Sequence, residues 1–354
     1  MSEKSGDNTS RDRSTSDAVV LVCGSDDNYA IHMAAMLTSV LENWDNARSL
    51  ETYIFDGGIG VAKKKKINEI IEGRKKKNTE VNWVHPDISS VDDLRVVGHV
   101  TQAAFLRLLI PKYLPREVSK AIYLDCDLIV ENSISTLWDE VCLDGVSHAA
   151  TQDLSVPYVS DPRGVQLYEE RGLSPDAPYF NSGVLVMNLE WWREHEVPKR
   201  VFDYVRSRSE SMVFNDQDAL NYVLAENWKP LDRRWNVSPK VKNYEAWDDT
   251  PFKEAVREEI DVLQRDPYII HYIGGDKPWM YGVEVPWQER YFHYLRESGW
   301  FDNEWAWKYW RLKEAWKHYR ERLGTASRRV INEVKRQLVP VARLLGVARS
   351  SRQQ

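Results

Sequence analysis

The chain carries only three cysteines in 354 residues. Cys23, Cys126 and Cys142 are an odd number without zinc-ligand spacing, and each sits in or beside an apolar run. Neither a disulfide framework nor a structural zinc site is expected, and the thiols read as buried and reduced, as in a cytosolic protein. No stretch reaches the roughly 18 uncharged apolar residues that a membrane-spanning helix needs. The charged start, MSEKSGDNTSRDRSTSD, is not followed by the apolar core of a signal peptide. It has almost no apolar side chain to offset the entropy of ordering, so residues 1–17 are expected to form a disordered tail. Two glycine-rich phosphate cradles are missing as well. No G-x-G-x-x-G follows the first strand-like run, and no G-x-x-x-x-G-K-[ST] occurs.

What remains is a composition of 42% hydrophobic and 29% charged residues, enough to bury a full core as one large or two ordinary domains. The net charge of -6 is unevenly spread. From Phe301 to Gln354 there are 13 Lys and Arg against 5 Asp and Glu, a balance of +8 that leaves -14 on the remainder. An acidic body of that kind argues against a nucleic-acid partner.

Apolar patterning predicts alternating strands and helices through residue 130. Ala18 to Gly24 reads as a buried strand, and Tyr29 to Trp44 as a helix with apolar residues at Ile31, Met33, Met36, Leu37, Val40 and Leu41. Glu51 to Phe55 and Glu80 to His85 read as strands around a Lys-rich helix, Val61 to Arg74. A helix from Thr101 to Tyr113, bounded by Pro111 and Pro115, precedes the strand Lys120 to Asp125. Such alternation predicts a mostly parallel, nucleotide-binding sheet covered on both faces. Further strands are expected at Ser147 to Gln152, Val184 to Asn188 and Tyr268 to Tyr272, with a helix from about Asp216 to Leu224 whose N-cap is Asn215 or Asp216.

Asp125 and Asp127 stand two residues apart at the end of the apolar run Ala121 to Leu124. Strand side chains alternate between faces, so both carboxylates point one way and Cys126 the other. At the C-terminal end of a strand in an α/β sheet they would converge in the ligand crevice and suit a divalent cation carrying a phosphorylated substrate. A D-x-D pair can also be no more than a solvated strand end. His271 stands at another strand end, followed by Gly274, Gly275 and Lys277. It suits a metal ligand beside a phosphate-neutralising charge, though a histidine there can equally be structural.

The ordered segments SDDNYAIHMAAMLTSVLEN, FLRLLIP, YLDCDLIVENSISTLWD, YFNSGVLVMNLEWW, FNDQDALN and HYIGGDKPW resemble glycosyltransferase family 8, the retaining galactosyl- and glucosyltransferases that include bacterial lipooligosaccharide galactosyltransferases and glycogenin. The likeness runs from about Val19 to Trp279. It implies a GT-A fold over residues 18–299 and transfer of a hexose from UDP-galactose or UDP-glucose to a glycan or glycolipid acceptor. It further implies Mn²⁺, or Mg²⁺, held by Asp125, Asp127 and His271 with diphosphate oxygens, a donor set suited to an octahedral cation. By the same resemblance Asp26 and Asn28 contact uracil and ribose, Tyr29 lies beside the base, and the Cys23 backbone joins them. Gly274 and Lys277 contact the diphosphate, while Arg107, Asp153, Asn181, Asp216 and Gln217 hold the donor sugar. Gln217 falls near the anomeric carbon, yet an amide oxygen is a poor nucleophile. Front-face attack, with the β-phosphate accepting the proton, fits better than double displacement, for which Asp216 is the fallback nucleophile.

Two other readings share some of these residues. A haloacid-dehalogenase-type phosphotransferase also uses D-x-D, but wants Thr or Val where Ile129 stands, with its motif on the first strand. A non-catalytic UDP-sugar-binding scaffold would keep the fold without turnover. Loops expected to build the acceptor site, Val156 to Ala177 and Lys240 to Asp261, name no acceptor.

Residues 300–354 are expected to form a basic, aromatic helical extension. Trp305, Tyr309, Leu312, Trp316, Tyr319 and Leu323 recur at spacings of four and three, with Lys308, Arg311, Lys313, Lys317, Arg320 and Arg322 around them. A second amphipathic stretch runs through Ile331, Val334, Leu338, Val341 and Leu345. Aromatics with flanking cations suit the anionic inner face of the cytoplasmic membrane. The alternative is packing on the protein's own core.

Overall fold

The computed structural model describes residues 18–74, 78–87, 102–208, 216–248 and 250–323. The expected tail over residues 1–17, Asn215 as an N-cap and the second C-terminal stretch lie outside them. A seven-stranded sheet runs in the order β3-β2-β1-β4-β7-β6-β8. Its strands are β1 (Ala18–Ser25), β2 (Ser49–Asp56), β3 (Thr79–Val84), β4 (Lys120–Leu124), β6 (His148–Gln152), β7 (Phe180–Asn188) and β8 (Trp228–Pro230). The first four are mutually parallel, β7 is antiparallel to both neighbours, and β6 and β8 are parallel. A mostly parallel α/β sheet is therefore present. A second, two-stranded sheet pairs β5 (Leu128–Val130) with β9 (Ile269–His271).

Helices cover both faces: α1 (Ala30–Asn43), α2 (Val61–Arg74), α3 (Leu106–Tyr113), α4 (Ile134–Glu140), α5 (Leu189–Glu194), α6 (Val197–Arg208), α7 (Asp216–Leu224), α8 (Pro251–Val256), α9 (Ile260–Arg265), α10 (Gln288–Glu297) and α11 (Glu304–Leu323). Every residue of α1 from Ala30 to Leu41 is buried. Its apolar and small side chains on all sides let it lie between the sheet and α10 as an inner helix.

The helix expected to end at Tyr113 does so, passing through Pro111, and its first turn, Gln102–Phe105, is 3₁₀. Arg193 donates to the carbonyls of Pro111 and Val118 (both 2.9 Å) and of Pro115 (3.0 Å), clamping the connection that delivers β4. The strand expected from Val184 begins four residues earlier, at Phe180, because Phe180 and Asn181 pair with Gln152 and Thr151 of β6, and Asn221 bonds both the N–H and the C=O of Phe180. Asn181, Ser182 and Gly183 therefore lie on a strand.

The junction expected at residue 300 is bridged by packing. Trp300 and Trp307 are buried in the main core with Trp287, Tyr291, Tyr294 and Leu295, and burial of each large side chain contributes roughly 1.5–3 kcal/mol. The helix docks through Trp307, Trp310, Arg311 and Ala315. At about 100° per residue the expected apolar face is the opposite one: Trp305, Tyr309, Leu312, Trp316 and Tyr319 all face solvent.

Candidate functional site

Asp125 and Asp127 lie in the short passage from β4 to β5, so each is fixed by a different sheet. The Asp125 N–H donates to Gly183 O of β7 (2.9 Å), and the Tyr272 N–H donates to Asp127 O (3.0 Å). Pairing of Leu128 with His271 in the small sheet sets the histidine beside Asp127. Cys126 turns the other way, its buried thiol donating to Gly24 O (3.2 Å), as strand alternation requires.

The two carboxylates and the imidazole each present an atom to one point, all within 4.8 Å of one another. His271 Nε2 is 3.2 Å from Asp127 Oδ1 and 3.9 Å from Asp125 Oδ2. The remaining oxygens are engaged. Asp125 Oδ1 accepts from Arg107 Nη2 (2.8 Å) and the Tyr123 hydroxyl (2.7 Å), and Asp127 Oδ2 accepts from the Lys277 ammonium. Burial opposes charge on Asp127, but Lys277 and His271 outweigh it and hold the carboxyl well below the usual carboxylate range.

Gly183 makes the cluster possible. A Cβ there would stand 2.1 Å from His271 Cε1 and 2.9 Å from Asp125 Oδ2, so a backbone without a side chain is what lets both groups face inward. Two carboxylates and an imidazole form a donor set that suits Mn²⁺ or Mg²⁺. The residues present fit a divalent cation.

Around this cluster the residues expected at the donor sugar form one network. Arg107 is buried against Asp125 and, at 2.9 Å, Asp216; desolvation disfavours its charge, but those carboxylates keep it protonated. Its Nε–H is directed at Ala104 O (3.1 Å). The contact to Asp216 Oδ2 is therefore one of charge, and that oxygen lacks a hydrogen-bond donor. Burial pushes the Asp216 carboxyl up to about 6 against the pull of Arg107. Asp153 Oδ2 accepts from Asn181 Nδ2 (2.8 Å) and Gln217 Nε2 (3.3 Å). Gln217 Oε1 accepts from the Ser182 N–H (2.9 Å) and hydroxyl (3.2 Å).

The expected nucleotide residues gather at the end of β1. Asp26 Oδ1 accepts the Tyr29 N–H (3.0 Å) and closes the turn into α1. Asn28 is exposed at the rim. Tyr29 stands edge-on to Trp279 (5.8 Å), and Trp279 stacks on His32 (3.6 Å), which burial keeps neutral by lowering its pKa to about 3. Cys23 points its thiol into the core at Met33, so only its backbone can face a ligand. Gly274, at φ +92°, makes the turn after β9 in a conformation that favours glycine. Lys277 is folded back on Asp127 and Tyr272 O (2.7 Å).

The profile of glycosyl transferase family 8 matches residues 20–282. The chain belongs to glycosyltransferase family 8. It is 31% identical over 287 residues to General stress protein A of Bacillus subtilis, covering 79% of this chain and 94% of that one. A lipopolysaccharide 1,2-glucosyltransferase of Escherichia coli is 25% identical over 259 residues, 72% of this chain and 71% of that one. Among solved structures, galactosyltransferase LgtC in complex with donor and acceptor sugar analogues superposes with a TM-score of 0.68 at 25% identity, covering 82% of this chain and all of that one. The family match confirms the resemblance read from the sequence and, with the sheet, the GT-A fold.

Sequence reasoning missed three residues that shape this family 8 site. Gly183 was hidden because Asn-Ser-Gly before an apolar run looks like a turn. Tyr123 was hidden among strand residues, although alternation puts it on the same face as Asp125. Asn236, which bonds both His271 and Asn181, carries no local pattern, since its partners lie 35 and 55 residues away in sequence.

Proposed function

We propose that this transferase moves a hexosyl group, galactosyl or glucosyl, from a UDP-sugar to a hydroxyl of a glycan or lipid-linked glycan, with retention of configuration. The observation that carries the reading is the convergence of Asp125, Asp127 and His271 on one point bordered by the Arg107, Asp153, Asn181, Asp216 and Gln217 network. Bound there, Mn²⁺ or Mg²⁺ supplies charge that stabilises the departing diphosphate. Lys277 adds a cation at the same end, and Arg107 holds Asp125 in place while remaining charged. Asp216 Oδ2, buried and without a donor, suits a sugar hydroxyl.

Front-face substitution suits these residues best. The acceptor oxygen bonds to the anomeric carbon as the bond to the β-phosphate oxygen breaks, and the acceptor proton passes to that phosphate. Gln217 Oε1 is already held by Ser182, which favours a positioning part over a nucleophilic one. Gln217→Ala should then slow transfer by about 10²-fold without abolishing it. A sugar found covalently attached to Gln217 or Asp216 by mass spectrometry would overturn that mechanism. UDP release from UDP-galactose and UDP-glucose, with Mn²⁺ and with EDTA, tests the whole reading. Donor binding without any release would favour a binding module.

The reading extends to location at the inner face of the cytoplasmic membrane. No helix among the described residues is long and apolar enough to cross a bilayer. The outer face of α11 instead offers Trp305, Tyr309, Leu312, Trp316 and Tyr319, flanked by exposed Lys308, Lys313, Lys317 and Arg320. Aromatics suit the headgroup layer, and each cation near an anionic surface contributes roughly 1 kcal/mol. Since α11 also completes the core, point substitutions test this better than truncation. Trp305→Ser with Leu312→Ser and Trp316→Ser should lower co-sedimentation with phosphatidylserine vesicles at least about tenfold, and added salt should weaken wild-type binding. Equal binding by both proteins, or none by either, would refute a membrane role for this face.

A further inference from the structure

Asn236 is buried at the end of a 3₁₀ turn, Arg233–Asn236, opened by Asp232 accepting the Arg234 N–H (2.9 Å). Trp235 anchors the turn in the core. Beyond it the backbone runs beside β9: the Val237 N–H donates to Ile269 O (2.8 Å) and the His271 N–H to Val237 O (2.9 Å). Asn236 is thereby held at a fixed offset from His271. Its Oδ1 lies 2.9 Å from His271 Nδ1 and its Nδ2 lies 2.9 Å from Asn181 Oδ1.

The direction of these bonds follows from their fixed ends. The Gly183 N–H can only donate, and it meets Asn181 Oδ1 at 3.0 Å. The Asp153 carboxylate accepts, and it meets Asn181 Nδ2 at 2.8 Å. Asn181 therefore cannot be flipped without breaking both bonds. Its oxygen demands a donor from Asn236, which turns the Asn236 oxygen toward His271. A carbonyl oxygen there requires a proton on Nδ1, so that Nε2, the atom aimed between Asp125 and Asp127, is the nitrogen a cation entering that point would meet.

We propose that Asn236 is a positioning residue that fixes His271 in the tautomer able to bind a cation and ties that ligand to the sugar-side residues Asn181, Asp153 and Gln217. The inference rests on the cation reading above. Partners of this kind typically change metal affinity 10- to 100-fold when removed.

Mn²⁺ titration followed by electron paramagnetic resonance, on the full chain, tests it. Asn236→Ala should weaken Mn²⁺ binding by about 10- to 100-fold. Asn236→Asp keeps an acceptor for the Nδ1 proton but loses the donor to Asn181. It should hold Mn²⁺ within about threefold of wild type and yet hydrolyse UDP-sugar roughly tenfold more slowly. Unchanged Mn²⁺ affinity in Asn236→Ala, or equal loss in both variants, would overturn the inference while leaving the cation reading in place. Absence of Mn²⁺ binding by the wild type would remove both. Should Asn236→Ala fail to fold, ¹⁵N-histidine resonances of the wild type saturated with diamagnetic Mg²⁺ decide: Nδ1–H with an unprotonated Nε2 is expected for His271, and a proton on Nε2 with Nδ1 bare would overturn the proposal.

Discussion

Asp127→Ala is expected to lower sugar transfer by at least about 10³-fold, since on the proposed reading it removes one of three ligands to a charge that stabilises the leaving group, a loss worth about 4 kcal/mol. The fold should survive. Lys277, deprived of Asp127, keeps its bond to Tyr272 O, so the stability cost is about 1–3 kcal/mol for the lost pairing. A UDP-release assay and a thermal melt on the same preparation separate the two effects. Transfer that persists above a tenth of the wild-type rate, or wild-type transfer that resists complete EDTA treatment, would take the carboxylate cluster out of the chemistry.

The second large effect should come from a single methyl group. Gly183→Ala would drive a carbon to 2.1 Å from His271 Cε1 and 2.7 Å from its Nδ1. The neighbours are a ring pinned by Asn236 and a carboxylate pinned by Arg107 and Tyr123, so neither can yield cheaply. Overpacking of this kind costs about 1–3 kcal/mol of stability, and displacement of a ligand by an ångström costs about 10²-fold in rate. The prediction is a folded protein with a lowered melting temperature, Mn²⁺ affinity reduced beyond the reach of Asn236→Ala, and transfer down by at least about 10²-fold. Wild-type Mn²⁺ affinity in Gly183→Ala would mean that the ring is not a ligand.

The D-x-D pair was legible because strand alternation acts over three residues, and the same local rule set Cys126 apart. The parallel half of the sheet, through β4, was legible for a similar reason, each strand being followed by its own helix or turn. The antiparallel return through β7 was not, because it depends on pairing across 60 to 68 residues, as between Leu124 and Val184 or Lys120 and Asn188. In α11 apolar spacing selected Trp305, Tyr309, Leu312, Trp316 and Tyr319. The helix carries aromatics on two faces, and the docked one was chosen by the fit of Trp307 against Phe292 and Phe301 (5.4 and 5.3 Å between ring centroids). No periodicity in the helix itself encodes that choice. Asp153, Asn181 and Gln217 were found only through the family resemblance, and their mutual bonding became visible only with the fold.

One backbone N–H, that of Gly183, sets the polarity of Asn181, and through it of Asn236 and His271. A neighbouring N–H, that of Ser182, does the same for Gln217. Exchanging any one amide for a carboxyl turns a donor into an acceptor facing another acceptor, and the mismatch passes to the next residue in line. Substitutions here should therefore be strongly non-additive, with a second change rescuing what a first has broken. A sequence drifting by single steps meets a barrier at each of these positions, whereas one that changes two partners together can cross it.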